Sequence, residues 1–274
     1  MSILNLLTPL IEAMLASAAT SFVLALVCLA VFRGETGRRY AGAVGFTAGY
    51  IAAFAWMEPR HLTPSMYWHW LPWLTAGGAI AGPIGIATGV RTPERWALSI
   101  VLALVAAWFL VPTRTALQPW RLTYVLVFVG CLTLLWNLLD PLIQRGSGGP
   151  IFFALATTTL GCSALVAHVA SLRIGSLGAI GAAALAGGGV AVAWTRDRTS
   201  LRGLLPCQSV VLCGVIMTAH LGDGFPKYAP ILILIAPLML WLFEFGPLAK
   251  LRGMSAMIAK ASAVCLPLGA AWFA

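Results

Sequence analysis

Charge is what this sequence has least of. Asp, Glu, Lys and Arg make up 9% of its 274 residues, against 60% hydrophobic. A soluble domain carries about a quarter charged residues. A chain this poor in charge cannot cover itself in water, so lipid is its solvent and the fold class is an all-α, polytopic membrane helical bundle. Acidic residues number only eight. No HExxH or CxxC pattern occurs, and no strand–turn–helix context surrounds any glycine cluster, which leaves zincin-type, zinc-ribbon and dinucleotide-binding chemistry without a motif. The six cysteines, Cys28, Cys131, Cys162, Cys207, Cys213 and Cys265, all fall in apolar segments and read as small hydrophobes. The start of the chain has no basic n-region, so no cleaved signal peptide is expected. No stretch between hydrophobic runs is long enough for a soluble domain.

What is present is a succession of apolar runs. Ten candidate spans lie at roughly 11–32, 41–57, 70–90, 96–111, 121–139, 150–172, 175–194, 204–222, 229–245 and 254–273. The second and fourth are short for spanning, so an eight-span arrangement with two re-entrant pieces stays open beside the preferred ten. The net charge of +9 does not point to nucleic acid, because no basic run with interleaved aromatics appears. It sets orientation instead. Odd-numbered loops hold Arg33, Arg38, Arg39, Arg91, Arg95, Arg145, Arg196, Arg198, Arg202, Lys250 and Arg252; even-numbered loops hold Arg60, Arg114, Arg121, Arg173 and Lys227. The positive-inside rule then makes the odd loops cytoplasmic and both termini extracytoplasmic, in a cell (inner) membrane. Tryptophans such as Trp56, Trp120, Trp194 and Trp272 near span ends fit an aromatic belt.

Two halves are expected. Leu15-Ala-Ser-Ala-Ala-Thr resembles Leu155-Ala-Thr-Thr-Thr, Ala53–Trp56 resembles Ala191–Trp194, Leu71-Pro72 matches Leu205-Pro206, and Cys131–Trp136 resembles Cys265–Trp272, at offsets falling from 140 to about 133. This divides the chain into a five-helix unit at 1–140, a cytoplasmic linker at 141–149 and a second unit at 150–274. An odd number of spans per unit inserts the second upside down, the arrangement of many secondary transporters.

Within lipid, glycine faces and stray charges are the features to weigh. Gly45 and Gly49, Gly78 and Gly82, and Gly85 and Gly89 are small-xxx-small pairs, expected either as packing seams or, around Pro83, as a broken third helix. Glu12 and Lys260 lie inside apolar runs and are candidate pathway groups, with His168, His220 and Asp223 at the outward ends. The turn Ala219–Pro226 is the most chemically loaded in the chain. Asn137, Asp140, Gln208 and Glu244 sit nearer span ends and rank lower. His61, His69, His220 and Asp223 are weak metal-ligand candidates, since their spacing is not diagnostic. Ser163 and His168, five apart, do not make a hydrolytic site, and no catalytic residue or cofactor is expected.

Three functions are compatible. The leading one is a small-solute or ion transporter with its pathway between two inverted repeats. The second is a structural or accessory subunit of a larger membrane complex, with other membrane subunits or further copies of the chain meeting its small-residue faces. The third is a membrane-embedded metal-binding protein or enzyme using an outward His cluster. Beyond the lipid bilayer, the sequence names no partner.

Overall fold

In the computed structural model the apolar runs are helices. The structure describes all residues except 1–2, 32–33, 88–91, 114–119, 146–147, 196–198, 223–224, 246–247, 249, 252 and 274. Among those described there is no strand, and the helices are α1 (Ile3–Val31), α2 (Glu35–Met57), α3 (Leu71–Ala87), α4 (Thr92–Leu110), α5 (Arg121–Arg145), α6 (Gly148–Val169), α7 (Leu172–Thr195), α8 (Thr199–His220), α9 (Ala229–Leu238) and α10 (Gly253–Trp272). Eight of them are long and apolar enough to cross a membrane. The chain is a multi-pass, all-α membrane protein.

The two short elements are not those the hydropathy suggests. α2 and α4 gain a polar first turn, Glu35–Tyr40 and Thr92–Arg95, which helix geometry accepts at a membrane surface and an apolar run does not count. α3 has only 17 residues. α9 gives way after Pro237-Leu238 to a 3-10 segment, Met239–Glu244. α3 passes through Pro83 without interruption, so of the two alternatives for these glycines the packing seam is the one seen there and the broken helix is not; α9 is the irregular one. Most of the expected linker is helical too. α5 runs through Pro141 to Arg145, and α6 begins at Gly148.

Lipid supplies no hydrophobic drive between helices, so close backbone approach must. α1 shows how. Its Ser17, Ser21 and Ala25 meet Gly45 and Gly49 of α2, where an added Cβ would lie 2.9 Å from Ala25 Cβ and from Ser21 Cβ and closer still to backbone oxygens. On the same face Ser17 Oγ donates to the Ile180 carbonyl at 3.0 Å, and Ser21 Oγ donates to that of Ala184 at 2.7 Å, pinning α1 to α7 in parallel. The opposite face of α1, with Leu15 65% exposed, is left to lipid. Gly78 and Gly82 seat α3 against Cys207 and Gly203 of α8. Gly85 has only ordinary side-chain contacts near its Cβ position, and Gly89 lies outside the described residues.

These seams enclose a core of α2, α3, α7 and α8. Buried residues make up 94% of the apolar window of α8 and 89% of that of α7, against 22% for α1, so α8 and α7 are the central helices. α4 and α5 flank α8 and α3; α6, α9 and α10 cover the other side. Helices alternate in direction. One end of the bundle, the histidine end, carries His61, His69, His168 and His220, and the other, the arginine end, carries Arg95, Arg145 and Arg202.

Candidate functional site

α8 carries polar groups at three depths. Near the arginine end Arg202 Nε donates to Asp140 Oδ1 at 2.9 Å, and its Nη2 to Oδ2 at 3.2 Å. At mid-depth Gln208 Nε2 donates to Thr159 Oγ1 of α6 at 2.9 Å, while Thr47 of α2 donates to the Thr75 carbonyl of α3 at 3.3 Å beside Cys207. At the histidine end stands His220. A helix this buried carrying this many polar groups must satisfy them internally, and two of its groups are not satisfied: Gln208 Oε1 and Ser209 Oγ are buried without a hydrogen-bond partner, as is the Tyr50 hydroxyl on the neighbouring α2.

Asp140 is the best-satisfied charge. Arg95 Nη1 from α4 reaches its Oδ2 at 2.6 Å, and Gln144 Nε2 donates to the same oxygen at 2.7 Å. Arg95 Nε also donates to Asn137 Oδ1 at 3.1 Å, and Asn137 in turn donates to Ser99 Oγ at 2.8 Å and to the Thr133 carbonyl at 2.9 Å. The carboxylate is 3% exposed and its arginines 17% and 27%. Two guanidinium groups on one carboxylate leave a surplus positive charge, and the network ties α4, α5 and α8 together at one end. Trp241 Nε1 extends the tie by donating to the Leu138 carbonyl at 3.1 Å.

At the other end of the same two helices lies a cavity of about 240 Å³. α5 contributes Tyr124, Phe128 and Cys131, α8 contributes Cys213 and His220, and α9 contributes Ile231. Its wall is apolar below and polar at the top, where His220 and Lys227 stand with Tyr124, whose ring centroid is 6.0 Å from that of His220. His220 Nδ1 is buried with no partner. Seven residues separate Tyr124 from Cys131 and Cys213 from His220, so at 1.5 Å per residue the cavity reaches roughly 10 Å down. Beneath it Leu132, Leu135 and Leu139 are buried between the cavity floor and Asp140.

A second cluster sits on the histidine end between α2 and α7. Arg173 Nε and Nη2 donate to the two oxygens of Glu58 at 2.6 Å each. His61 Nε2 lies 3.8 Å from Glu58 Oε2, and the His61 ring stacks on His69 with centroids 4.7 Å apart. The His69 Nδ1 accepts from the backbone N–H groups of Ser65 and Met66, which leaves the proton on Nε2, and that atom has no partner. Burial, then the neighbouring His61 and Arg173, holds the His69 imidazole below its ordinary pKa, with Glu58 opposing.

Of the five pathway candidates the cavity takes in one, His220. Glu12 is on the exposed face of α1 beside Ile11 and Leu15, away from the core. His168 is exposed and stacks on Trp272 at 4.8 Å, on the far side of the bundle. Lys260 is buried, but on α10, its ammonium 5.9 Å from the Phe243 ring; no cavity-lining residue belongs to α10. Asp223 lies outside the described residues. The three described metal candidates do not converge either: His61 and His69 pair, and His220 stands apart with Tyr124. Among the described residues no group of three or more His, Cys, Asp or Glu is placed to hold a metal ion.

In the sequence Asp140 and Gln208 rank low because both sit nearer the ends of predicted spans. The signal that would have raised them is charge arithmetic: with eight acids for seventeen Lys and Arg, an acid at the end of a long apolar helix is an obvious arginine partner. Comparison with protein-family models and with curated proteins found no match. The site must therefore be interpreted from its own geometry.

Proposed function

We propose that the protein carries a small solute across the membrane by a route between its two five-helix units. The observation that carries this is the position of the cavity: α5, the last helix of the first unit, forms one wall, and α8 and α9 of the second unit form the other. Asp140, joined to Arg95 and Arg202, closes the opposite end of the α5–α8 seam. Sequential pairs recur in the two halves, α1 on α2 as α6 on α7 and α4 on α5 as α9 on α10, but among the described residues α1 also packs on α7 and α2 on α8 with no comparable α6–α2 or α7–α3 packing, so the inverted duplication rests on the sequence matches and not on the packing. The charge count of the loops puts the arginine end in the cytoplasm and the cavity mouth outside.

Cys131 and Cys213 in the cavity wall provide the test. A variant keeping only these two cysteines is treated with a charged, membrane-impermeant thiol reagent in vesicles of each orientation. A carrier is labelled from the histidine end, and from the arginine end as well once Asp140→Asn weakens the closure. Labelling from the histidine end alone in both proteins marks a blind pocket and defeats the carrier reading.

One observation favours the second reading, a subunit of a larger complex. α6 and α10 leave an open groove of about 400 Å³ lined by Leu160, Gly161, Ala164, Leu268 and Gly269. A Cβ added at Gly269 would meet nothing within 4 Å, so a partner helix could approach there. Native mass spectrometry of gently extracted protein separates the two, since a fixed stoichiometry with other chains supports the subunit.

A further inference from the structure

We infer that the cavity between α5, α8 and α9 takes a single-chain anionic amphipath, a carboxylate or similar anion on an apolar body, that enters from the bilayer. The inference rests on the carrier reading for its physiological purpose but not for its binding chemistry.

Shape and access come first. Val127 of α5 and Ile231 of α9 line the cavity and are also 53% and 57% exposed on the lipid-facing surface of the bundle. The opening between them therefore faces acyl chains rather than bulk water. In such a position an apolar cavity fills with whatever apolar chain the bilayer presents. Its volume of about 240 Å³ falls just below the usual range for small-ligand pockets, which suits one chain and not two.

The polar end decides the head group. At the top of the cavity stand Lys227, Tyr124 and the imidazole of His220, whose Nδ1 is buried and unpartnered; the Lys227 ammonium rests 5.9 Å from the ring of Tyr228, and its flexible stem lets it turn to the cavity mouth. Among the described lining residues there is no carboxylate. An ammonium with two further hydrogen-bonding groups at headgroup depth, above apolar walls reaching roughly 10 Å down, is complementary to an anion with an attached chain. A polar solute such as a sugar would leave its hydroxyl groups unpaired against Phe128, Cys131 and Ile231. A bare inorganic ion would leave the walls empty.

The experiment uses the full chain in phosphatidylcholine nanodiscs with two photoreactive probes of equal length, a diazirine-bearing medium-chain carboxylic acid and the corresponding alcohol. The expected result is crosslinking by the acid at peptides of α5, α8 and α9, several-fold above the alcohol. Lys227→Gln and His220→Gln should each lower labelling by the acid by roughly threefold to fivefold, the worth of one partly exposed charge contact, and leave labelling by the alcohol unchanged. Lys227 is exposed, so its variant folds. Equal labelling by acid and alcohol, or labelling mapped outside these three helices, overturns the inference. Loss of the signal when phosphatidylglycerol replaces part of the phosphatidylcholine assigns the cavity to a two-chain membrane lipid and also overturns it. Labelling as expected with cysteines accessible from one side only would defeat the carrier reading alone. Two-sided accessibility without acid-selective labelling would defeat this inference alone.

Discussion

Replacing Asp140 with Asn should cost more stability than any other single change of charge in this protein. The carboxylate accepts four hydrogen bonds, one each from Arg95 and Gln144 and two from Arg202. An amide keeps one acceptor oxygen and turns an NH₂ group toward two guanidinium groups. Removing one partner of a buried charge pair costs about 3–5 kcal/mol. Here the arginines are 17% and 27% exposed and can turn toward water at the end of the bundle, so the lower end applies, about 3 kcal/mol. At roughly 2–4 °C per kcal/mol, the unfolding midpoint should fall by about 6–12 °C.

The eleven tryptophans make intrinsic fluorescence a suitable readout of thermal unfolding in detergent. A double-mutant cycle with Arg202→Gln isolates the pair. Once the carboxylate is gone, Arg202 has lost its counter-charge, so the second substitution should cost at least about 1 kcal/mol less than it does alone. Additivity of the two within about 0.5 kcal/mol would refute the argument, because it would mean that the ion pair contributes nothing once solvated arginines are allowed for.

Four further outcomes follow from the geometry. Gly49→Leu should destabilise by more than about 3 kcal/mol, because its side chain would run into the Ser17 carbonyl and backbone cannot yield, whereas Gly130→Ala, with nothing within 4 Å of its Cβ position, should be silent; a thermal shift for each decides. Stability should fall as pH drops below the ordinary histidine value near 6.5, since the unfolded chain takes up a proton that buried His69 resists, and His69→Phe should flatten that part of the pH profile. Gln208→Leu should change stability by less than about 1 kcal/mol, because one hydrogen bond to Thr159 is lost while an unpaired buried acceptor disappears, so any loss of transport in that variant would be a loss of function and not of fold. Glu12→Gln and His168→Ala should leave both stability and solute binding within error, as both side chains are exposed and away from the cavity; a clear effect of either on binding would place the pathway elsewhere.

The ten helices were legible because hydrophobic length is a one-dimensional property, and in lipid it is nearly the whole determinant of a spanning helix. Small-xxx-small spacing has a geometric meaning for the same reason: Gly45 and Gly49 lie four apart, so they share a helix face wherever that helix packs, as do Gly78 and Gly82, whereas Gly85 makes only ordinary contacts. What spacing could not say was which partner each seam meets. Ser17 and Ser21 bind carbonyls 163 residues downstream, and no local pattern in α1 announces α7. Exposure was equally hidden. Glu12 and Lys260 read alike as charges inside apolar runs, yet one lies on the outside of α1 and the other is buried beside Phe243.

The same limit hides the surroundings of His220 and Asp140. A loaded turn singles out His220 in the sequence, but its place in the structure comes from the opposite wall: Tyr124, ninety-six positions earlier, faces it across the cavity. Asp140 looked like the start of a linker, because Pro141 and the glycines beyond it are turn formers. Proline removes one backbone donor and crowds the preceding turn, which normally ends a helix. Here the preceding residue is the one held by Arg95, Arg202 and Gln144, and α5 continues to Arg145 through the proline. The tertiary network thus overrides the local signal where α5 is fastened to α4 and α8. In a chain with so few acids, removing a carboxylate that holds three helices together is expected to lower the melting temperature and, on the carrier reading proposed above, to open the arginine end to a thiol reagent.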